Sequence, residues 1–248
     1  MSALRIAVIF PELLGTYGDS GNALVLERRL AWRGMDVEMV EVPLGRSVPE
    51  QCDLYVIGGG EDGAQLQALS ELRGGTGLQA AANRGAPVLA VCAGLQILGT
   101  SLSDRHGVVR AGLGLVDATT TRLQRRAVGE VVARPRADLG LPELLGFENH
   151  AGATRLGPAA LPLADVVRGL GNGDGRRPRV EGLVQGGVVA TYLHGPVLAR
   201  NPALADLLLS RACGQRLAEL DDPHERAARS AMRSRLARRR RHSVSSAA

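Results

Sequence analysis

Apolar residues in this chain come in short dense runs set between turn residues. Leu4 to Phe10, Leu54 to Ile57 and Pro87 to Val91 are apolar almost throughout and rich in Val and Ile. That is the pattern of strands buried on both faces. Val37 to Val42 alternates, as a strand nearer an edge does. Between these runs the spacing becomes helical. Leu24, Leu26, Leu30 and Ala31 follow a cap candidate, Ser20 or Asn22, and the pattern stops near Gly34. A second helix is expected over about Gln65 to Arg84, with glycines inside it. Strand–helix alternation of this kind predicts a mostly parallel sheet flanked by helices, with ligands beyond the carboxyl ends of its strands.

From Gly107 to Leu193 the texture changes to short β-like segments: Gly112 to Val116, Val128 to Ala133, Gly146 to Glu148, Val166 to Leu170, Val180 to Val184 and Val188 to Leu193. These are expected to extend the same sheet in antiparallel or mixed fashion. Gly171 to Arg177 reads as a hairpin tip. Pro202 opens a helix with Leu204, Leu207, Leu208 and Leu209 on its apolar positions. The expected division is one domain over residues 1–220 and an Arg-rich helical tail over 221–248.

Composition narrows the function classes. Aromatics make up 2% of the 248 residues, so little can stack on nucleic-acid bases. The net charge is +5, but the tail, with Arg226, Arg229, Arg233, Arg235 and Arg238 to Arg241, holds more than that excess. The body is near neutral, and no nucleic-acid partner is expected. Cys52, Cys92 and Cys213 are far apart and odd in number, which argues against a disulfide framework and against a zinc site. No apolar run is long enough to span a membrane. A cytoplasmic protein with reduced thiols is the expectation.

Candidate chemistry centres on Pro87 to Gly99. A buried strand runs straight into Cys92, and Ala93 and Gly94 open a helix behind it. Strand, cysteine, tight turn and helix is the layout of a nucleophile elbow, in which the helix start favours thiolate over thiol. A second apolar strand ends at His194, and a third ends at Gly58-Gly59-Gly60. A thiol needs an imidazole partner, and a leaving amine needs a proton that an imidazole can supply. A tetrahedral intermediate needs backbone N–H donors, available from the glycine turn and from Ala93 or its neighbour.

Several stretches together resemble the class I (triad) glutamine amidotransferases, and within them the CobB/CobQ-like group that includes the GatD-type glutaminase subunits of lipid II isoglutaminyl synthase. They are Tyr17-Gly18-Asp19-Ser20-Gly21-Asn22, Gly58-Gly59-Gly60-Glu61-Asp62, Val91-Cys92-Ala93-Gly94-Leu95-Gln96, Gly146-Phe147-Glu148-Asn149-His150-Ala151-Gly152, and Thr191-Tyr192-Leu193-His194-Gly195-Pro196 with Asn201-Pro202. The resemblance implies a flavodoxin-like α/β fold with a β-rich extension. It implies hydrolysis of L-glutamine through a cysteinyl thioester, with Cys92 as nucleophile and His194 as base and acid. Gly60 and Ala93 become the oxyanion donors, and Gln96 and Arg126 bind substrate. Arg122 and Arg125 stand beside Arg126 as alternatives.

The resemblance further implies a Mur-ligase-like synthetase partner in a heterodimer. That partner would carry ATP and magnesium and amidate the D-glutamate α-carboxyl of lipid II, while this chain holds no cofactor or metal. The alternatives are a glutaminase serving another synthetase, such as a cobyric-acid enzyme, or a non-catalytic regulatory subunit. Two departures stand out. Ala90 replaces the first glycine of the usual elbow. Pro196 stands where a carboxylate usually follows the histidine, so the orienting acid is expected from a partner chain, with Glu148 as a substitute within this one.

Overall fold

The computed structural model describes residues 3–175 and 177–245, with side chains described for these except Tyr17 and residues 237–245. The Tyr17, Arg176 and Arg238 to Arg241 side chains named above thus lie outside the described residues. Two units are distinguished, Met1–Leu217 and Ala218–Ala248. The second contains α7 (Pro223–Ser245), whose start is marked by Asp222 Oδ1 accepting from the His224 and Glu225 N–H groups.

The first unit is built on a six-stranded sheet of order β11-β12-β4-β3-β1-β2. Its strands are β1 (Leu4–Ile9), β2 (Val37–Val42), β3 (Leu54–Ile57), β4 (Val88–Val91), β11 (Leu183–Gln185) and β12 (Val188–Thr191). β1, β3, β4 and β12 pair in parallel, and only the edge strand β11 runs antiparallel. Every residue of β3, β4 and β12 is buried, as uninterrupted apolar strands require. The helices α1 (Gly21–Ala31), α2 (Asp62–Arg73), α3 (Gly77–Asn83), α4 (Ala93–Leu98), α5 (Val197–Arg200) and α6 (Pro202–Ala212) flank it. The helix expected over Gln65 to Arg84 is two helices, because the chain turns at Gly74-Gly75-Thr76. α1 and α6 are joined by an ion pair, Arg29 Nη2 to Asp206 Oδ2 at 2.7 Å, with Arg33 on the same carboxylate at 2.9 Å.

The β-rich stretch does not simply extend this sheet. Only β11 and β12 do. β5 (Ser101–Ser103), β6 (Val109–Ala111), β7 (Ala118–Pro135), β8 (Leu144–Leu156), β9 (Ala164–Arg168) and β10 (Val180–Glu181) form a second sheet around the long β7–β8 ribbon. Gly112 to Val116, expected as a strand, is a loop. Its N–H groups are drawn instead to the last carbonyls of α4: Leu113 donates to Ile97, and Leu115 and Val116 donate to Leu98. Helix ends leave such carbonyls without intrahelical partners, and this loop supplies them. Val180 to Val184 is likewise broken at Gly182, so its halves join different sheets.

Candidate active site

β12, β4 and β3 are neighbours, and their carboxyl ends open at one edge. His194 follows β12, Cys92 follows β4, and Gly58 to Gly60 follow β3. Cys92 has φ 51° and ψ −100°, a left-handed conformation rare for a side-chain-bearing residue. It marks the sharp strand-to-helix turn that Ala90 does not prevent. The Cys92 N–H is held by the Thr191 carbonyl at 2.8 Å, which ties the elbow to the strand carrying His194.

The acid that orients His194 comes from a place not assigned from the residues alone. Asp19 lies on the loop between β1 and α1, and β1 is the next strand after β3. The His194 Nδ1 atom is 3.0 Å from Asp19 Oδ2 and 3.2 Å from Oδ1. Gly59 donates its N–H to the same Oδ2 at 2.9 Å. Asp19 is fully buried and His194 is 1% exposed. Burial alone would lower the His194 pKa. The hydrogen bond to Asp19, the contact with Cys92 and the charges of both groups outweigh it and push the value up to about 10. A ring whose Nδ1 faces a carboxylate carries its proton there, leaving the other nitrogen for chemistry. The carboxylate expected from a partner is therefore not needed to hold this histidine: the chain supplies one itself.

Glu148 does not substitute for it. Its carboxylate accepts from the Leu170 N–H at 2.9 Å and the Gly171 N–H at 2.9 Å, and so fixes the loop after β9. Burial raises its pKa against those two bonds. The neighbouring residue Phe147 has another task. Its backbone and that of His194 exchange both hydrogen bonds, at 2.9 and 3.2 Å, and so pin the histidine loop to β8. Asn22 and Asn201 complete the frame. Asn22 Oδ1 accepts from the Leu198 N–H at 2.9 Å instead of capping α1, and Asn201 bonds the backbone of Leu145 and Val197.

Gly59 is the tightest point. A Cβ there would lie 2.8 Å from Asp19 Oδ2, 3.0 Å from His194 Cε1 and 3.3 Å from Cys92 Cβ. Three candidate groups thus close around one residue that must lack a side chain.

Cys92 opens on a small cleft lined by Gly60, Ala93, Gln96, Arg126, Asn149 and His150, among others. Gly60, Ala93, Gln96 and Arg126 thus all border the cleft that holds Cys92. Ala93 begins α4, so its N–H has no carbonyl of that helix to bond. Of the three candidate arginines, Arg126 borders the cleft. Its Nε donates to Asn149 Oδ1 at 2.5 Å. Arg122 reaches Asp62 at 3.3 Å, and Arg125 is exposed outside the cleft lining. Among the described residues no group of His, Cys, Asp and Glu is arranged to hold a metal ion. No helix among them is long and apolar enough to cross a membrane.

The arrangement can perform acyl transfer. It sets a thiol at a strained turn, an imidazole with an orienting carboxylate, and backbone donors within one cleft. The missed residue, Asp19, stood inside the Tyr17 to Asn22 stretch already singled out. Its signal was a buried-loop aspartate in a glycine-flanked turn, but nothing in spacing tied it to a histidine 175 positions away.

Comparison with known proteins agrees. The CobB/CobQ-like glutamine amidotransferase domain matches residues 5–202. The GatD subunit of lipid II isoglutaminyl synthase (glutamine-hydrolyzing) from Staphylococcus aureus is 34% identical over 86% of this chain and 86% of its own. The one from Streptococcus pneumoniae is 32% identical over 84% and 80%. A cobyric acid synthase from Sphingopyxis alaskensis is 32% identical over 71% of this chain but 35% of its own length. Among solved structures, one glutamine amidotransferase shares the fold with a TM-score of 0.55 at 18% identity, covering 84% of this chain and 98% of that one. Another, from Thermotoga maritima, has a TM-score of 0.52 at 16% identity, covering 86% and 84%. With the match spanning both sheets and every stretch that builds the cleft, this chain belongs to the CobB/CobQ-like glutamine amidotransferase family.

Proposed function

We propose that this chain is the glutaminase subunit of a lipid II isoglutaminyl synthase. It hydrolyses L-glutamine to glutamate and ammonia, and an ATP-dependent, Mur-ligase-like partner uses the ammonia to amidate the D-glutamate α-carboxyl of lipid II. The observation that carries the chemistry is the Cys92–His194–Asp19 line, closed around Gly59. The reading of the acceptor rests on the two GatD relatives, which match this chain over most of both lengths. The cobyric acid synthase match spans a minority of that protein, which favours it less.

In this reading the Cys92 sulfur adds to the carboxamide carbon of glutamine, and the carbonyl oxygen takes the negative charge between the N–H groups of Gly60 and Ala93. His194 gives its proton to the amide nitrogen, the C–N bond breaks, and ammonia leaves a thioester on Cys92. Water then adds to the thioester while His194 takes one of its protons, and glutamate leaves as the thiolate re-forms. Asp19 holds His194 in the tautomer both steps need. Arg126 and Gln96 hold the amino-acid end of the substrate. ATP and magnesium belong to the partner, and the pair works in the cytoplasm, where its lipid-linked acceptor is presented.

The test has two stages. Purified chain is assayed for ammonia release from glutamine. The chain with its co-purifying partner is then given amide-¹⁵N glutamine, ATP and lipid II. Label in the stem-peptide carboxamide supports the whole reading. Ammonia release without transfer to lipid II, or a co-purifying partner unrelated to Mur ligases, leaves a glutaminase with a different acceptor.

A further inference from the structure

The inner wall of the cleft carries a line of hydrogen bonds that the reaction steps above do not use. Gln96 is 9% exposed and sits on α4, one turn after Cys92. Its amide is held at both ends. Gln65 Nε2 donates to Gln96 Oε1 at 2.6 Å, and Gln96 Nε2 donates to the Tyr192 hydroxyl at 3.1 Å. The line continues inward. The Tyr192 hydroxyl lies 2.6 Å from Thr154 Oγ1, which lies 2.8 Å from Thr120 Oγ1. All five side chains are buried, and four elements contribute them beside the β12 end: α2, α4, β7 and β8.

Tyr192 is itself fixed. Its ring stacks on His150 with centroids 3.8 Å apart and planes 18° from parallel. Burial raises its pKa above the ordinary phenol value, so the hydroxyl keeps its proton. With that proton shared with Thr154, the hydroxyl offers Gln96 a lone pair. Gly152 makes the meeting possible: a Cβ there would lie 2.4 Å from Gln96 Nε2 and 2.6 Å from the Tyr192 hydroxyl. The Gly146 to Gly152 stretch, whose last residue had no assigned task, thereby gains one.

A primary amide has two N–H donors and two acceptor lobes, and the two ends have nearly the same shape. Left to itself such a group turns over, presenting a donor in one state and an acceptor in the other. Here Gln65 occupies one acceptor lobe and Tyr192 occupies one N–H. We propose that Gln65, Tyr192 and Gly152 are positioning residues that hold the Gln96 amide in one of its two orientations, so that it offers an N–H to an acceptor on bound glutamine. The assignment rests on the glutaminase reading above. A contact made alike in the bound substrate and in the transition state acts on KM and leaves kcat nearly alone.

Two variants test this from opposite ends of the line. Tyr192→Phe keeps the ring and its stacking on His150 and removes the hydroxyl, which is the acceptor for Gln96 and the partner of Thr154. Gln65→Met removes the donor on α2, away from the histidine loop. Each should raise KM for glutamine about five- to fiftyfold, the scale of a buried polar group losing its partner, with kcat within about threefold of wild type. Labelling of Cys92 by a glutamine-shaped diazoketone should slow by a similar factor, while alkylation by iodoacetamide, which has no amino-acid end to orient, stays at the wild-type rate. An unchanged KM in both variants overturns the assignment. So does a parallel fall of kcat and of both labelling rates, which would mean that Tyr192 only supports His194 two residues on. If Tyr192→Phe melts below the assay temperature, Gln65→Met decides alone. A wild-type chain that neither releases ammonia from glutamine nor reacts with the diazoketone removes the glutaminase reading together with this one. An active wild type with unaffected variants removes this one only.

Discussion

Asp19→Asn is the sharpest perturbation available, because it changes one charge and almost no volume. In the native site the carboxylate accepts from His194 Nδ1 at 3.0 Å and from the Gly59 N–H at 2.9 Å. Both donors meet Oδ2, and Oδ1 lies 3.2 Å from the same His194 nitrogen, so an asparagine brings its NH₂ against the histidine in either orientation of its amide. The ring answers that donor by reversing its tautomer, and the nitrogen toward Cys92 carries a proton when it should accept one. In a serine triad the corresponding change cost about 10⁴ in kcat. A cysteine–imidazolium pair begins with its charges already separated, so a smaller loss of about 10² to 10³ is expected here. The substitution also removes the main cause of the raised His194 pKa, which should fall from about 10 toward the ordinary 6.5. Ammonia release followed by a coupled dehydrogenase measures the first effect, and NMR titration of labelled histidine measures the second.

The stability consequence has a definite sign. A histidine that binds its proton more tightly folded than unfolded contributes fully below pH 6.5 and loses that contribution as pH rises toward about 10. The melting-temperature gap between wild type and Asp19→Asn should therefore be widest near pH 6 and narrow steadily toward pH 10. Turnover of Asp19→Asn within about threefold of wild type would refute the reasoning, since general acid–base effects are normally worth about 10² or more. It would return the orienting role to a carboxylate on a partner chain.

Three further outcomes are expected. Gly59→Ala should cost about 10² or more in kcat with a normal far-UV spectrum, because its methyl enters the space shared by Asp19, His194 and Cys92; an active variant would mean that these groups are looser than described. Cys92→Ser should abolish ammonia release without changing the melting curve, and a glutamine-shaped electrophile should spare Cys52 and Cys213, whose thiols burial pushes up in pKa; equal labelling of all three by mass spectrometry would contradict this. Glu148→Ala should lower stability by about 1–3 kcal/mol in urea titration, because the Leu170 and Gly171 N–H groups lose their acceptor, with kcat less affected than by Asp19→Asn; the reverse ranking would make Glu148 the orienting acid after all.

Much of the site was legible from the chain alone because its parts are local. Strand, Cys92 and helix are consecutive, and a buried apolar strand followed by small residues has few other solutions. The end of β12 at His194 and the glycine turn after β3 are local in the same sense. That these strand ends share one edge followed from the expectation of a parallel sheet, although the order of the strands along it did not. Residue texture also marked the change to β structure after Gly107.

What it did not decide was everything that depends on strand order and on which buried polar groups meet. Asp19 reaches His194 only because β1 lies next to β3, so that the loop after β1 crosses the glycine turn. Two residues so far apart carry no shared periodicity. The second sheet was invisible for a related reason. A strand's alternation says that one face is buried, not which strand lies beside it, and β10 and β11 part at Gly182 because their hydrogen-bond partners differ. Gly112 to Val116 reads as a strand by propensity, but the unpaired carbonyls at the end of α4 take its N–H groups first. Gln65, Tyr192 and Thr154 are ordinary polar residues in the chain. Burial makes an unpaired amide or hydroxyl costly, so only the packed structure determines which of them must pair, and hence what Gln96 can offer a substrate.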